Sequence, residues 1–224
     1  DFVVYTDNYY SEYRIKCTTL PIMNIDVEDE ITEEDVQMSM QLLDNREGVG
    51  QKVIELSGLI HVRGGSTKSY PKLGYKISLI DYLANDRIRK NKYPLLGMRK
   101  DDDWILYAAY NDQEKIRNVF SSNLWMETCS MDNSFQIENG MRYEYGELFM
   151  NGQHWGLYAL GYPIDDLQMN TKKNAGECIY KKVLWSREYP IAYAEDGTIA
   201  GYKISSSGKE DWTILYDYYE KLND

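Results

Sequence analysis

Histidine is scarce in this sequence: His61 and His154 are the only two in 224 residues, which excludes a multi-histidine metal centre. Three cysteines, Cys17, Cys129 and Cys178, lie far apart and form no C-x-x-C pair, so neither a zinc site nor a disulfide framework is expected, and mostly buried thiols are the plain reading. No apolar run approaches the ~20 residues of a membrane helix. No internal repeat or low-complexity tract is visible, and no Ser-His-Asp or Cys-His set can be chosen from two histidines. The chain begins at Asp1 without methionine or an apolar targeting segment, so an upstream piece removed by processing or design is expected.

What is present is acidic and rich in tyrosine. The 36 acidic residues outweigh 25 basic ones for a net charge of -11, which disfavours nucleic acid and anionic lipid as partners. Twenty-one tyrosines and five tryptophans against four phenylalanines supply rings with a polar handle, suited to half-buried strands and to recognition of protein or carbohydrate. Hydrophobic residues make up 43 %, enough for a sizeable core in one domain or two small lobes.

Hydrophobic periodicity predicts an α+β fold. Val36 to Leu42 alternates with period two despite the cap-like Thr32 to Asp35 before it, and Val53 to Val62 and Tyr75 to Ile80 complete an antiparallel meander. Trp104 to Ala109 reads as a short strand. Asn111 and Glu114 have capping-box spacing ahead of a helix over Gln113 to Glu127, whose residues Ile116, Val119, Phe120 and Leu124 should face the sheet. Asn151-Gly152 marks a hairpin between Met141 to Met150 and Gln153 to Leu160, because both central positions of the favoured turn need positive φ. Cys178 to Leu184 reads as a strand, and Pro190 to Ala194 with Ile199 to Ile204 as a second hairpin. Ser207 and Glu210 then cap a last helix that turns Trp212, Leu215, Tyr216, Tyr219 and Leu222 toward the core. The architecture expected is a twisted antiparallel sheet with packed helices, divided into residues 1–160 and a smaller part, 161–224.

The loop Arg63-Gly64-Gly65-Ser66-Thr67-Lys68 between two strands offers amide N-H groups, hydroxyls and cations that could cradle phosphate oxygens. It lacks the Walker A and dinucleotide spacings, and a tight Gly-Gly hairpin with solvated Arg63 and Lys68 explains it equally. Lys76 alternates to the side of Ser78, either into a cleft or onto a wet sheet face. Asp101, Asp102 and Asp103 could offer oxygen ligands to a divalent cation, although consecutive carboxylates do not converge on one point, and a structural turn is the simpler reading. Arg117 could lean toward an anion or snorkel to water, and Glu147, if inward-facing, demands a partner.

Several segments in order resemble one family. Ile60-His-Val-Arg-Gly-Gly-Ser-Thr67 followed by Tyr70-Pro-Lys-Leu-Gly-Tyr-Lys-Ile77 resembles the opening signature of the spore-coat CotH kinase family. Asp102 to Leu106, Asn111-Asp112, Ile116-Arg-Asn118, Glu147-Leu-Phe-Met-Asn-Gly152 and Trp155-Gly-Leu-Tyr158 recur in the family's order. The chain departs from the pattern at Gly65, where asparagine is usual, and at Leu73-Gly74, where a lysine-serine pair is usual.

The resemblance implies a reduced protein-kinase-like fold that binds ATP with Mg²⁺ and, in some members, phosphorylates Ser or Thr of coat proteins. It implies an exported, cell-surface or spore-coat location. Residues Arg63, Gly64, Ser66, Lys68, Lys72, Lys76, Arg117 and Glu147 form the candidate nucleotide-binding set, with no protein metal ligand assigned. The family's catalytic aspartate-asparagine region is expected beyond this stretch of sequence, so whether the chain is itself an enzyme stays open. The alternative is a non-catalytic surface module of the same fold that binds protein or glycan.

Overall fold

The computed structural model describes residues 2–6, 9–13, 17–50, 52–83, 87–134, 137–172, 176–183, 199, 201–206 and 211–223. In chain order the elements are β1 (Phe2–Thr6), β2 (Tyr9–Tyr13), β3 (Ile22–Val27), β4 (Val36–Asp44), β5 (Lys52–Arg63), a 3₁₀ turn at Ser66–Ser69 and β6 (Gly74–Tyr82). There follow β7 (Ile88–Lys90), β8 (Tyr93–Pro94), β9 (Lys100–Asp101), β10 (Asp103–Tyr107), α1 (Arg117–Thr128), β11 (Tyr143–Met150) and β12 (Gln153–Gly161). The last are β13 (Ile179–Lys182), β14 (Tyr202–Ser206) and α2 (Thr213–Asn223). The chain forms two compact units, one of residues 1–120 with 142–162 and the other of residues 121–141 with 163–224.

The first unit is built on the expected meander. In β4 the alternation buries Met38, Met40 and Leu42 and leaves Gln37, Ser39 and Gln41 on the other face. Antiparallel pairing sets Met40 opposite Leu56 and Ile60 opposite Ile77, so one face of three strands becomes a continuous apolar layer. Each such side chain contributes about 1.5–3 kcal/mol on burial. The α+β class holds, but the sheet is not an open one. Strand β10 pairs with β12 on one edge and with β6 on the other, closing a ring of β10, β12, β11, β3, β4, β5 and β6. Closure leaves the short β7, paired to β6 alone, outside the ring, and a ring of this size is filled by its own inward side chains. Trp104, Tyr75, Tyr158, Met23 and Leu148 are all essentially inaccessible. Nor is the sheet wholly antiparallel: β3 and β11 run parallel, with Glu147 opposite Ile22 and Met150 opposite Ile25.

The Asn151-Gly152 hairpin forms between β11 and β12 with φ of 48° and 73° at its two central residues. The Asn151 Oδ1 atom also accepts a 2.9 Å bond from the Val27 N-H, tying the turn to the end of β3.

The helix after β10 departs from expectation. It starts at Arg117, because Lys115 sits in the left-handed region at φ 62° and Asp112, not Asn111, supplies the cap by accepting from Arg117 N-H at 2.7 Å. Its buried side carries Val119 and Met126, whereas Ile116, Phe120 and Leu124, expected in the core, are exposed.

In the second unit β13 pairs antiparallel with β14. The expected hairpin partner Pro190 to Ala194 lies outside the described residues, as do Ser207 and Glu210. Asp211 Oδ1 stands at the start of α2, accepting from the N-H of Thr213 at 3.0 Å and from its hydroxyl at 2.6 Å. Leu215 is buried and Trp212, Tyr216 and Tyr219 are half-buried, but Leu222 is exposed. The thiols are not buried either: Cys17 is exposed, and Cys129 and Cys178 are intermediate. No helix among the described residues is long and apolar enough to cross a membrane.

Candidate functional site

At one rim of the closed sheet, the loop between β5 and β6 faces the segment that follows β10. Gly64 has φ of 142°, and a Cβ there would lie 2.1 Å from Thr67 Oγ1, so the turn accepts only glycine. The 3₁₀ turn closes through Lys68 N-H to Gly65 O and Tyr70 N-H to Thr67 O, each at 3.2 Å, and through Ser69 Oγ to Ser66 O at 2.8 Å. Opposite, Ala109 adopts φ of 46° and begins a compact turn that ends at Lys115, whose ammonium donates to the carbonyls of Ala109 at 2.8 Å and Tyr110 at 3.2 Å.

These two walls enclose a cleft of about 130 Å³, whose lining includes Arg63, Gly64, Thr67, Tyr70, Lys72 and Tyr110. Gly74 also lines it, and a Cβ there would stand 3.3 Å from Leu106 O. The Lys72 ammonium donates to Leu157 O at 2.5 Å and lies 4.2 Å from the centre of the Tyr158 ring. Partial burial pulls its pKa below the usual lysine value, and repulsion from Lys115 adds to this while Glu147 opposes it.

The eight residues singled out from sequence separate by their partners. Arg63, Gly64 and Lys72 line the cleft, Arg63 with an exposed side chain and no carboxylate partner among the described residues. Ser66 is exposed on the 3₁₀ turn, and Thr67 is the hydroxyl residue that lines the cleft. Lys68 is paired with Glu33 at 2.6 Å, and Lys76 with Asp103 at 3.1 Å. Arg117 is paired with Glu114 at 2.6 Å and stands 3.7 Å from Asp112, while Glu147 faces outward and meets His154 Nε2 at 2.8 Å. Sequence reasoning missed Tyr70, Tyr110 and Lys115. Nothing in the local pattern marks Lys115, since its place follows from a left-handed turn that no glycine announces.

The three consecutive aspartates diverge, as the backbone requires. Asp101 is held by Arg99, Asp102 by Lys90 at 2.6 Å with Lys92 at 3.8 Å, and Asp103 by Lys76 and by a 2.7 Å bond from the Ser78 hydroxyl. Arg99 in turn stacks 4.2 Å from the Tyr162 ring centre. Among the described residues no three His, Cys, Asp or Glu side chains are placed to share a metal ion. The rim carries the cationic side chains of Arg63 and Lys72.

A family profile for CotH kinase protein matches residues 60–224, which takes in every residue of the cleft. The chain belongs to the CotH kinase family. A search of curated proteins found no match. Family membership carries a kinase-like ancestry, and the matched segment begins inside β5, so β1 to β4 precede it.

Proposed function

We propose that this chain is the ATP-binding portion of a kinase-like protein of the CotH family, with the Arg63-Lys72 cleft taking the phosphate chain. One observation carries the reading: Lys68, Lys76 and Arg117 are neutralised by carboxylates, while Arg63 has none among the described residues and Lys72 is held against carbonyl and ring. A guanidinium fork, an ammonium with further N-H groups to donate and the turn around Gly64 suit phosphoryl oxygens. Lys115 beside them adds positive charge, and its repulsion of Lys72 would be relieved by a bound anion.

The divalent cation that accompanies such nucleotides finds no fitting donor set here, because Asp101, Asp102 and Asp103 are each committed to a protein cation and Asp112 to the start of α1. The described residues thus supply binding and charge neutralisation for a phosphate chain. Transfer to a Ser or Thr hydroxyl of a coat or surface protein, and an exported location, belong to the same proposal and are supported by family membership alone. The second reading, a non-catalytic protein-binding module, is favoured by the exposed apolar side chains of Ile116 and Phe120.

Calorimetric titration with ATP, with and without Mg²⁺, tests the first reading. Saturable binding that Arg63→Ala and Lys72→Ala each weaken about ten-fold or more supports it. A folded wild-type chain that binds neither ATP nor Mg-ATP would sink it.

A further inference from the structure

The cleft of about 130 Å³ is well below the roughly 300–1,000 Å³ of pockets that enclose a whole organic ligand. If phosphates occupy the space beside Arg63 and Lys72, the nucleoside must lie on the rim, and the rim there is aromatic. Tyr70 and Tyr110, one from each wall, pack with ring centroids 5.2 Å apart and planes tilted by 34°. The two rings already touch, so nothing inserts between them. Tyr70 is half-buried and backs the pair, whereas Tyr110 keeps 43 % of its surface exposed.

The backbone under Tyr110 is also held. Ala109 before it takes a left-handed conformation, and the Tyr110 carbonyl is gripped by Lys115, whose ammonium lies 6.0 Å from the Tyr110 ring centre. Such local strain is kept where the surrounding structure fixes it, as here through the Tyr145 hydroxyl donating to Lys115 O. An exposed ring of fixed orientation beside an anion site is a stacking platform for a planar base.

We propose that Tyr110 is the base-stacking residue of this site, with Tyr70 the positioning residue that supports its inner face; the proposal rests on the phosphate-binding reading of the cleft. A ring face discriminates between a nucleotide and a bare phosphate chain but little among bases, since every base presents a π-face.

The test compares Mg-ATP with inorganic tripolyphosphate as titrants on wild type, Tyr110→Ala and Tyr110→Phe, each verified as folded by circular dichroism. Wild type is expected to bind Mg-ATP about ten-fold or more tightly than tripolyphosphate. Tyr110→Ala should lose that advantage while its tripolyphosphate affinity stays within about two-fold, and Tyr110→Phe should keep it. Equal affinity for the two ligands in wild type, or an unchanged Mg-ATP affinity in Tyr110→Ala, overturns the platform and leaves the phosphate cleft standing. Failure of wild type to bind either ligand overturns the cleft reading and the platform with it.

Discussion

Lys76 Nζ lies 3.1 Å from Asp103 Oδ2, whereas Lys72, four residues earlier, has a carbonyl and a ring for company and a cleft before it. Both lysines stand in the segment whose sequence resembles the family signature, and the structure gives them different employments. Lys76 joins β6 to β10 across the pair that closes the sheet, because its strand neighbour Ser78 lies directly opposite Asp103. Its ammonium is ion-paired within the fold.

Exchanging the two lysines for alanine should therefore separate stability from binding. Lys76→Ala leaves a half-buried carboxylate with the Ser78 hydroxyl and the longer-range charge of Lys90 to support it and is expected to cost about 1–2 kcal/mol in urea unfolding. Lys72→Ala releases a partly desolvated ammonium and should change stability by less than about 1 kcal/mol while lowering affinity for a phosphate ligand. The opposite assignment, with Lys76→Ala abolishing binding at unchanged stability, would place the phosphate contact on β6.

The Asp103 carboxyl makes a pH prediction. Burial works against its ionisation, yet the Ser78 hydroxyl and Lys76 together hold its pKa below the usual aspartate value. A depressed carboxyl stabilises the fold above the pKa of the unfolded chain, and that stability is lost as pH falls through the lower, folded value. Ser78→Ala should cost about 1 kcal/mol at pH 7. The difference from wild type should shrink as pH falls through the carboxylate range. A difference that stays constant down to acid unfolding would mean that the hydroxyl acts through packing alone.

Two glycines are required by closeness rather than by φ. A Cβ at Gly58 would stand 2.4 Å from Met38 Cε and 2.9 Å from Ser78 O, and one at Gly161 would meet the Tyr143 ring at 2.5 Å and Arg142 O at 2.9 Å. Gly58→Ala and Gly161→Ala should each cost about 1–3 kcal/mol, since a backbone oxygen cannot step aside as a methionine tip can. Ser66→Ala, at an exposed residue of the 3₁₀ turn, serves as the control and should be close to neutral. Thermal unfolding of the three variants decides it.

Helix α1 offers a test of which face is buried. Val119 is 4 % exposed and Phe120 is 63 % exposed. Val119→Ala should destabilise by about 2 kcal/mol, and Phe120→Ala by less than about 0.5 kcal/mol despite removing the larger ring. The reverse order would place the helix as the hydrophobic periodicity suggests.

That helix shows where sequence reasoning runs out. Ile116, Phe120 and Leu124 fall at helical spacing and look like a core stripe, but periodicity reports that a stripe exists and not what covers it. A capping pattern at Asn111 and Glu114 is likewise overruled by Lys115, whose left-handed backbone breaks the chain before Arg117 can begin a helix.

The sequence by itself determined the strands of the meander and the Asn151-Gly152 hairpin, because a period of two and a positive-φ pair are local constraints that hold in any surroundings. It also carried the family, through motifs kept in order. Only the tertiary structure decided that β10 bridges β12 and β6 to close the sheet, that β3 lies parallel to β11, and which cations are paired. Those outcomes depend on which residues distant in sequence meet in space: Lys76 is paired because Asp103 stands across the closing strand pair, and Lys72 lines an open cleft where Glu147 acts on it without forming an ion pair among the described residues.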